Sequence, residues 1–107
     1  MKTYYYYDGP RLFSCEDAQG QKYIGFWVDA TDKADIYLYF PVSAQHLADV
    51  ETGKMALADF MASADWAWEA REILYSDQAH VRKLDASQIP KDCFPDPGIT
   101  LSEKLAL

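Results

Sequence analysis

The sequence predicts an α+β fold: a four- to five-stranded antiparallel sheet (a meander) with two short helices on one face and an irregular C-terminal segment packed along the body. Three observations lead to this prediction. Residues 3–40 are rich in strand-forming aromatic side chains and are divided by short turns of Asp, Gly and Pro. Residues 43–62 carry apolar side chains at helical spacing. The prolines of residues 89–98 exclude a long regular element there. At 107 residues the chain has the length of one domain, and we expect residues 1–107 to form a single domain.

Four consecutive tyrosines mark the first predicted strand, over residues 3–7. Successive side chains of a strand point to opposite faces, so Tyr4 and Tyr6 are expected on one face, and Tyr5 and Tyr7 on the other. A turn at residues 8–10 ends this strand, and further strands are predicted at residues 11–15, 23–28 and 35–40, where Pro41 stops the meander.

Two short helices are predicted after the meander. Ser43 is a good N-cap for a helix over residues 44–50, and Gly53 suits its C-terminal end. A second helix is predicted over residues 55–62, with apolar side chains on one side.

The segment of residues 66–73 is ambiguous because its residue types favour a helix. Trp66 and Trp68 are two positions apart, however, and share a face only in a strand. We therefore predict a strand that rejoins the sheet. Residues 75–107 are predicted to be mostly irregular, with spaced apolar side chains that fix them across the domain.

Charge and composition limit the classes of partner. Seventeen acidic and ten basic residues give a net charge of −7, so phosphate backbones and anionic lipid surfaces would repel the chain. We expect no direct binding of nucleic acid and none of membranes, since no apolar run is long enough to span a bilayer. No secretory signal is apparent, which favours a cytoplasmic protein whose cysteines remain thiols. The charge suits a basic protein partner, although solubility alone also explains it.

Residues able to carry catalysis are few. Cys15, His46 and His80 are the candidates for a nucleophile and its base, but they lack a flanking signature. They define one alternative, a small enzyme or a ligand-binding domain. No glycine-rich phosphate loop is present, and we expect no cofactor. Asp29, Asp32 and Asp35 are three apart, which is typical of a polar hairpin tip, so no metal site is predicted.

Aromatic side chains exceed what one small sheet with one helical layer can cover, because such a layer covers only one face. We therefore predict a non-enzymatic, acidic protein-binding module. An inhibitor, an immunity protein or an anti-defence protein acting on a larger partner is its more specific form. A symmetric homodimer is a further alternative, and so is internal burial of both faces by the helices and the C-terminal segment. The predicted binding residues are Tyr4, Tyr6, Tyr37, Tyr39, Trp66 and Trp68, with Asp29, Asp32 and Asp35 at the rim.

Several short motifs resemble those of an uncharacterised family of small bacterial domains. The matching stretches are YDGPRLF at residues 7–13, WVD at 27–29, YLYFPVS at 37–43, IP at 89–90 and FPDPGITL at 94–101. The family pattern is a YDGPxLF opening and an IP…(L/F)PxPGxxL close, and Phe94 stands where leucine is expected. The resemblance implies one domain from a bacterium or its phage. It supplies no site, because no activity is established for the family.

Overall fold

The computed structural model of the protein describes residues 1–74 and 76–101. Within these residues the chain forms six strands, two α-helices and one short 3-10 helix. The strands are β1 (Lys2–Tyr6), β2 (Pro10–Glu16), β3 (Lys22–Ala30), β4 (Ala34–Val42), β5 (Trp66–Ile73) and β6 (Ala79–Asp85). The helices are α1 (Ala44–Glu51) and α2 (Leu57–Ala62), and the 3-10 helix spans Lys91–Cys93.

All the described strands belong to one antiparallel sheet in the order β1-β2-β3-β4-β5-β6. The predicted meander and the strand at residues 66–73 are confirmed. The prediction of four to five strands was too low, because β6 lies in the region that we expected to be irregular. This edge strand buries only Leu84, so it lacks the alternation of apolar and polar residues that identifies a strand.

The tyrosine run does not follow the regular alternation that the sequence suggested. Thr3 pairs with Phe13 and Tyr5 with Leu12, so β1 has one extra residue at Tyr4, which is a β-bulge. Tyr4 is 3% exposed and belongs to the core, whereas the tyrosines at 5, 6 and 7 are exposed. Because the bulge changes the phase, Tyr4 and Tyr6 do not share a buried face.

The helices and the C-terminal segment cover the same face of the sheet. Ser43 caps α1 by accepting a hydrogen bond from the His46 backbone N–H at 3.1 Å. The C-terminal segment follows the same layer, because the Leu57 N–H donates to the Ile99 carbonyl at 3.0 Å. The core between these layers is formed by Tyr4, Leu12, Ile24, Leu38, Phe40, Val42, Val50, Leu57, Phe60, Met61, Ala67, Leu84, Ile89 and Leu101. None of the helices in the described ranges has the length and hydrophobicity needed to span a bilayer.

Candidate functional site

The opposite face of the sheet carries most of the remaining aromatic rings, and we call it the ring face. Strand registry defines it, because residues directly across from one another share a face. One row runs through Phe13, Gly25, Tyr39, Trp68 and Lys83, and the next through Trp27, Tyr37, Ala70 and Val81. Tyr23 and Trp66 lie two residues from Gly25 and Trp68 on their strands and complete the ring face.

Rings at the centre of the ring face bury one another. The Phe13 ring lies over Gly25, which has no side chain to obstruct it. It contacts Tyr37 and Tyr39 edge to face, with centroids 6.0 and 5.7 Å apart. As a result Phe13 and Tyr37 are only 4% and 5% exposed, while Tyr39 remains half-buried.

A second group of rings lies towards β5 and the β2–β3 turn. Trp66 and Trp68 pack edge to face at 5.5 Å, and both are half-buried. The Trp68 Nε1–H donates to the Tyr23 hydroxyl at 3.4 Å, and that hydroxyl donates to Asp17 Oδ2 at 3.2 Å. These polar contacts fix the Trp68 indole, which packs against Trp66, and both indoles remain partly open to solvent.

Two cations already lie on indole rings of this face. The Arg11 guanidinium is 4.5 Å from the Trp27 ring centroid, and the Lys83 ammonium is 4.6 Å from that of Trp66. Arg11 also donates to the Tyr7 and Asp8 carbonyls at 2.6 and 2.9 Å. The ring face is therefore a surface on which cations bind within the protein itself.

An open groove of about 390 Å³ crosses the ring face, and we call it the acidic groove. Tyr39, Trp68 and Val81 form part of its apolar lining. Its lining residues include three acidic ones, Glu16, Asp17 and Glu72, of which Glu16 pairs in register with Lys22 and Val42 and so directs its side chain to the helix-covered face. Among the described residues, no lysine, arginine or histidine contributes to this lining.

The negative charge of the acidic groove affects the pKa values of two tyrosine hydroxyls on the ring face. Burial raises the pKa of the Tyr39 hydroxyl well above its usual range, and the negative charge of Glu72 raises it further. The pKa of Tyr37 is raised by the same two causes in the same order. The Glu72 carboxylate thus acts on both hydroxyls.

Sequence comparison gives one informative result. A family model described as a family of unknown function (DUF6575) matches residues 1–106. The chain belongs to the DUF6575 family. No curated protein and no solved structure matches it. The expected membership of an uncharacterised domain family is confirmed, while the motif pattern and the bacterial or phage source stay predictions.

The predicted binding residues of this DUF6575 domain are spread over several places. Tyr39, Trp66 and Trp68 lie half-buried on the ring face, and Tyr37 lies there but is buried. Tyr4 is in the core on the helix-covered face, and Tyr6 is exposed on the edge strand β1.

The three predicted aspartates also differ in their surroundings. Asp35 accepts a hydrogen bond from the Trp27 Nε1–H at 3.4 Å, so it belongs to the ring face. Asp29 and Asp32 are exposed at the β3–β4 hairpin, as expected for a polar turn.

Sequence reasoning missed three groups that shape the acidic groove of this DUF6575 domain: Tyr23, Asp17 and Glu72. A signal for Glu72 was present, because a strand through Trp66 and Trp68 places every second residue, and hence position 72, on the same face. Asp17 belongs to a turn, whose position over the sheet no alternation rule predicts.

The residues of the alternative enzyme hypothesis do not come together in this DUF6575 domain. Cys15 lies on the ring face and lines the acidic groove, whereas His46 is exposed on α1. His80 pairs with Arg71, which shares the helix-covered face with Glu69. Burial is the main cause that raises the pKa of the Cys15 thiol, so its surroundings favour the neutral thiol over the nucleophilic thiolate.

A larger apolar cavity of about 610 Å³ lies between β1, β3 and the C-terminal segment of this DUF6575 domain. Arg11 is its only charged lining residue among those described; its Nε and Nη2 donate to the carbonyls of Tyr7 and Asp8, while its buried Nη1 has no hydrogen-bond partner among the described residues. Leu101, the last described residue, forms part of the wall. The described lining therefore offers space, apolar surface and one guanidinium with a free donor, but no carboxylate.

Proposed function

We propose that this DUF6575 domain is a non-enzymatic, acidic protein-binding module that binds a basic protein through the ring face. One observation carries the proposal. Both helices and the C-terminal segment pack on the same side of the sheet, so no element of residues 1–74 and 76–101 covers the ring face.

The residues available on the ring face suit a protein interface. Tyr39, Trp66 and Trp68 are half-buried, so their rings are held in place before a partner arrives. Tyr and Trp are enriched among the residues that dominate interface energies, because they bring a large contact area with few rotatable bonds. The rings therefore supply anchors at a low entropic cost.

The negative charge of this domain indicates which kind of protein surface it would bind. The chain has a net charge of −7, and Asp17 and Glu72 place carboxylates at the two ends of the acidic groove. Opposite charge on a partner raises the association rate and disfavours acidic competitors. A basic protein surface is thus the complement of this face.

The more specific form of the proposal is an inhibitor, of the immunity or anti-defence type, acting in the cytoplasm on a larger protein that binds nucleic acid. An acidic face that occupies a basic channel would compete with the phosphate backbone for the same side chains. This form predicts that the captured partner loses nucleic-acid binding when the DUF6575 domain is added.

A matched pair of variants tests the proposal. Val81 is 59% exposed on the edge strand β6 and lines the acidic groove, so Val81→Arg adds a bulky cation to the ring face at little cost in stability. Ile99→Arg adds the same charge at an exposed position on the other side of the sheet. The tagged wild-type chain should capture one stoichiometric basic partner at low salt, and less of it as salt rises.

The expected result is that Val81→Arg loses this partner and Ile99→Arg keeps it. Capture of no stoichiometric partner by the wild type, or equal capture by both variants, would refute binding through the ring face. Circular dichroism of both variants should show that each is folded.

The two alternatives give different results. A homodimer through the ring face would give twice the monomer mass of 12.2 kDa in light scattering, and Val81→Arg would halve it. An enzyme that uses Cys15, His46 or His80 would lose its cellular phenotype when any of the three is replaced by alanine. Retention of the phenotype in all three variants would exclude that alternative.

A further inference from the structure

The acidic groove combines negatively charged residues with aromatic surface, and none of its described lining residues is basic. Its described lining contains Glu16, Asp17 and Glu72 but no basic side chain. No ion pair is recorded for these carboxylates within the described parts of the chain. On the same face Arg11 lies against Trp27, and Lys83, which is directly across from Trp68 in register, lies against Trp66.

We propose that the acidic groove binds arginine side chains of an extended segment of the partner, with one guanidinium against the Trp68 and Tyr39 rings at the Asp17 end and a second facing Glu72. This inference rests on the proposed function and names the chemistry by which the partner is recognised. A guanidinium matches the site because it is planar, stacks on aromatic rings and donates two parallel hydrogen bonds to a carboxylate.

The rings are oriented for such a contact. The polar edge of Trp68 is occupied, since its Nε1–H donates to Tyr23 at 3.4 Å, so the indole offers apolar surface to the groove. The Tyr39 hydroxyl makes no hydrogen bond to any described residue, and it lines the same groove. A guanidinium between these rings finds an acceptor in the hydroxyl and π surface in the indole.

Glu72 is placed to neutralise the guanidinium that binds at its end of the groove. It is exposed and lies across β4 and β5 from Asp35, with which it pairs in register. Its charge is felt at the Tyr37 and Tyr39 hydroxyls, whose pKa values it raises after the larger effect of burial. Like charges directly across an antiparallel pair disfavour one another, so the Asp35–Glu72 pair favours a cation placed between its members.

The groove has an acidic group at each end, which sets the spacing of the ligand. Asp17 is bound to Tyr23, next to Trp68, and its carboxylate also accepts from the Gln19 and Gln21 backbone N–H groups at 2.9 Å. Glu72 is four residues along β5 from Trp68, or roughly 13 Å at the rise of a strand. An extended segment covers this length in about four residues, so arginines at positions i and i+4 reach both ends.

The test uses the full chain and three synthetic peptides. The first peptide is Gly-Arg-Ala-Leu-Ala-Arg-Gly, the second has lysine for both arginines, and the third has citrulline, which keeps the shape of arginine but has no charge. Binding is measured from the NMR shift of the Trp68 indole N–H and from tryptophan fluorescence. We expect the arginine peptide to bind, the lysine peptide to bind more weakly, and the citrulline peptide not to bind.

Two variants of equal charge change locate the contact. Glu72→Gln removes one carboxylate from the acidic groove, and Asp96→Asn removes one from the C-terminal segment on the other side of the sheet. We expect Glu72→Gln to weaken binding of the arginine peptide about threefold to tenfold, the range for one partly exposed charge-assisted contact. Asp96→Asn should leave the affinity unchanged.

The two thiols of the chain provide an independent readout. Cys15 lines the acidic groove, and Cys93 lines the separate cavity near the C-terminal segment. Bound arginine peptide should slow alkylation of Cys15 and leave that of Cys93 unchanged. Equal protection of both thiols would place the peptide elsewhere and overturn the assignment.

The outcomes separate this inference from the proposed function. Equal binding of the arginine and citrulline peptides, or equal affinities of Glu72→Gln and wild type, would overturn the arginine site. The ring face would still be the interface if Val81→Arg alone abolished capture of the protein partner. Loss of capture in neither Val81→Arg nor Glu72→Gln would overturn both proposals.

Discussion

Replacing Gly25 with alanine tests the packing that supports the ring face. A methyl group on Gly25 would overlap the Cζ and Cε2 atoms of Phe13 and would stand 3.0 Å from its Cε1 atom. The backbone of Gly25 has no positive φ, so alanine there is otherwise compatible with the strand. In such a backbone, glycine to alanine normally stabilises a protein by about 0.4–1 kcal/mol, because it restricts the unfolded chain.

We expect the opposite sign at Gly25. The contact involves the far end of the Phe13 side chain, which could move at little cost in free energy if no neighbouring residue held it. Phe13 is only 4% exposed, however, and is held edge to face by Tyr37 and Tyr39. Overpacking of this kind costs about 1–3 kcal/mol, which exceeds the gain from restricting the unfolded chain. The net loss is therefore roughly 0–2.5 kcal/mol, with a central value near 1 kcal/mol.

Urea unfolding followed by tryptophan fluorescence measures this loss, and thermal unfolding should show a fall of about 4–8 °C per kcal/mol. A double-mutant cycle with Phe13→Leu provides the control, because a smaller side chain at position 13 leaves room for the methyl group. Gly25→Ala should then cost less in the Phe13→Leu background than in the wild type. A stabilised Gly25→Ala variant, or additive effects in the cycle, would refute this account of the packing.

Three further predictions concern polar groups near the core. Glu69 accepts from Arg82 at 2.9 Å, and this hydrogen bond is the main cause of its lowered pKa. Because the pKa of Glu69 is lower in the folded state, this carboxylate stabilises the protein at pH values above its usual pKa of 4.5, and that stabilisation is lost as pH falls. In urea titrations, Glu69→Gln should therefore be less stable than wild type at neutral pH. The variant should also lose less stability than wild type on acidification. Tyr4→Phe removes a hydroxyl that donates to Glu51 at 2.9 Å and bonds with Ser14 at 3.1 Å, so it should cost about 1 kcal/mol in the same assay. Burial is the main cause that raises the pKa of Tyr4 from 10.0 to about 12, so the free energy of unfolding should decrease as pH rises through this interval, and less steeply in Tyr4→Phe. An equally steep alkaline loss in both chains would contradict the last prediction.

The parts of the fold that the sequence predicted are those with a strong local pattern. The spacing of Trp66 and Trp68 identified β5 against the helix propensity of its neighbours, because only a strand places both rings on one side. β6 had no such pattern, since an edge strand is solvated on several sides and needs few apolar residues. The bulge at Tyr4 depends on its pairing with β2, and pairing between strands is not encoded in a period-two pattern.

The sequence predicted an uncovered aromatic face, but it did not predict which rings remain accessible or where the acidic groove lies. An excess of rings over available cover follows from composition, and Tyr39, Trp66 and Trp68 lie on the uncovered face. Which rings bury one another depends on the absence of a side chain at Gly25, which admits Phe13 and so closes off Tyr37. The acidic groove joins residues from five strands and one turn, and its shape therefore required the three-dimensional structure.

The strands lie in the sheet in the same order as in the chain, so the sheet can form one strand after another during folding. Each strand pairs only with its neighbours along the chain, so every pairing except that of β4 with β5 closes a short loop. Short loops keep the entropic cost of closing each of these pairings low. A ribosome-bound chain can complete β1 to β4 as successive hairpins before β5 is synthesised, and the pairs Phe13–Tyr37 and Phe13–Tyr39 form within that first unit. All the rings of the ring face except those of Trp66 and Trp68 can thus be in place before β5 is synthesised, and the acidic groove forms only when β5 and β6 are added.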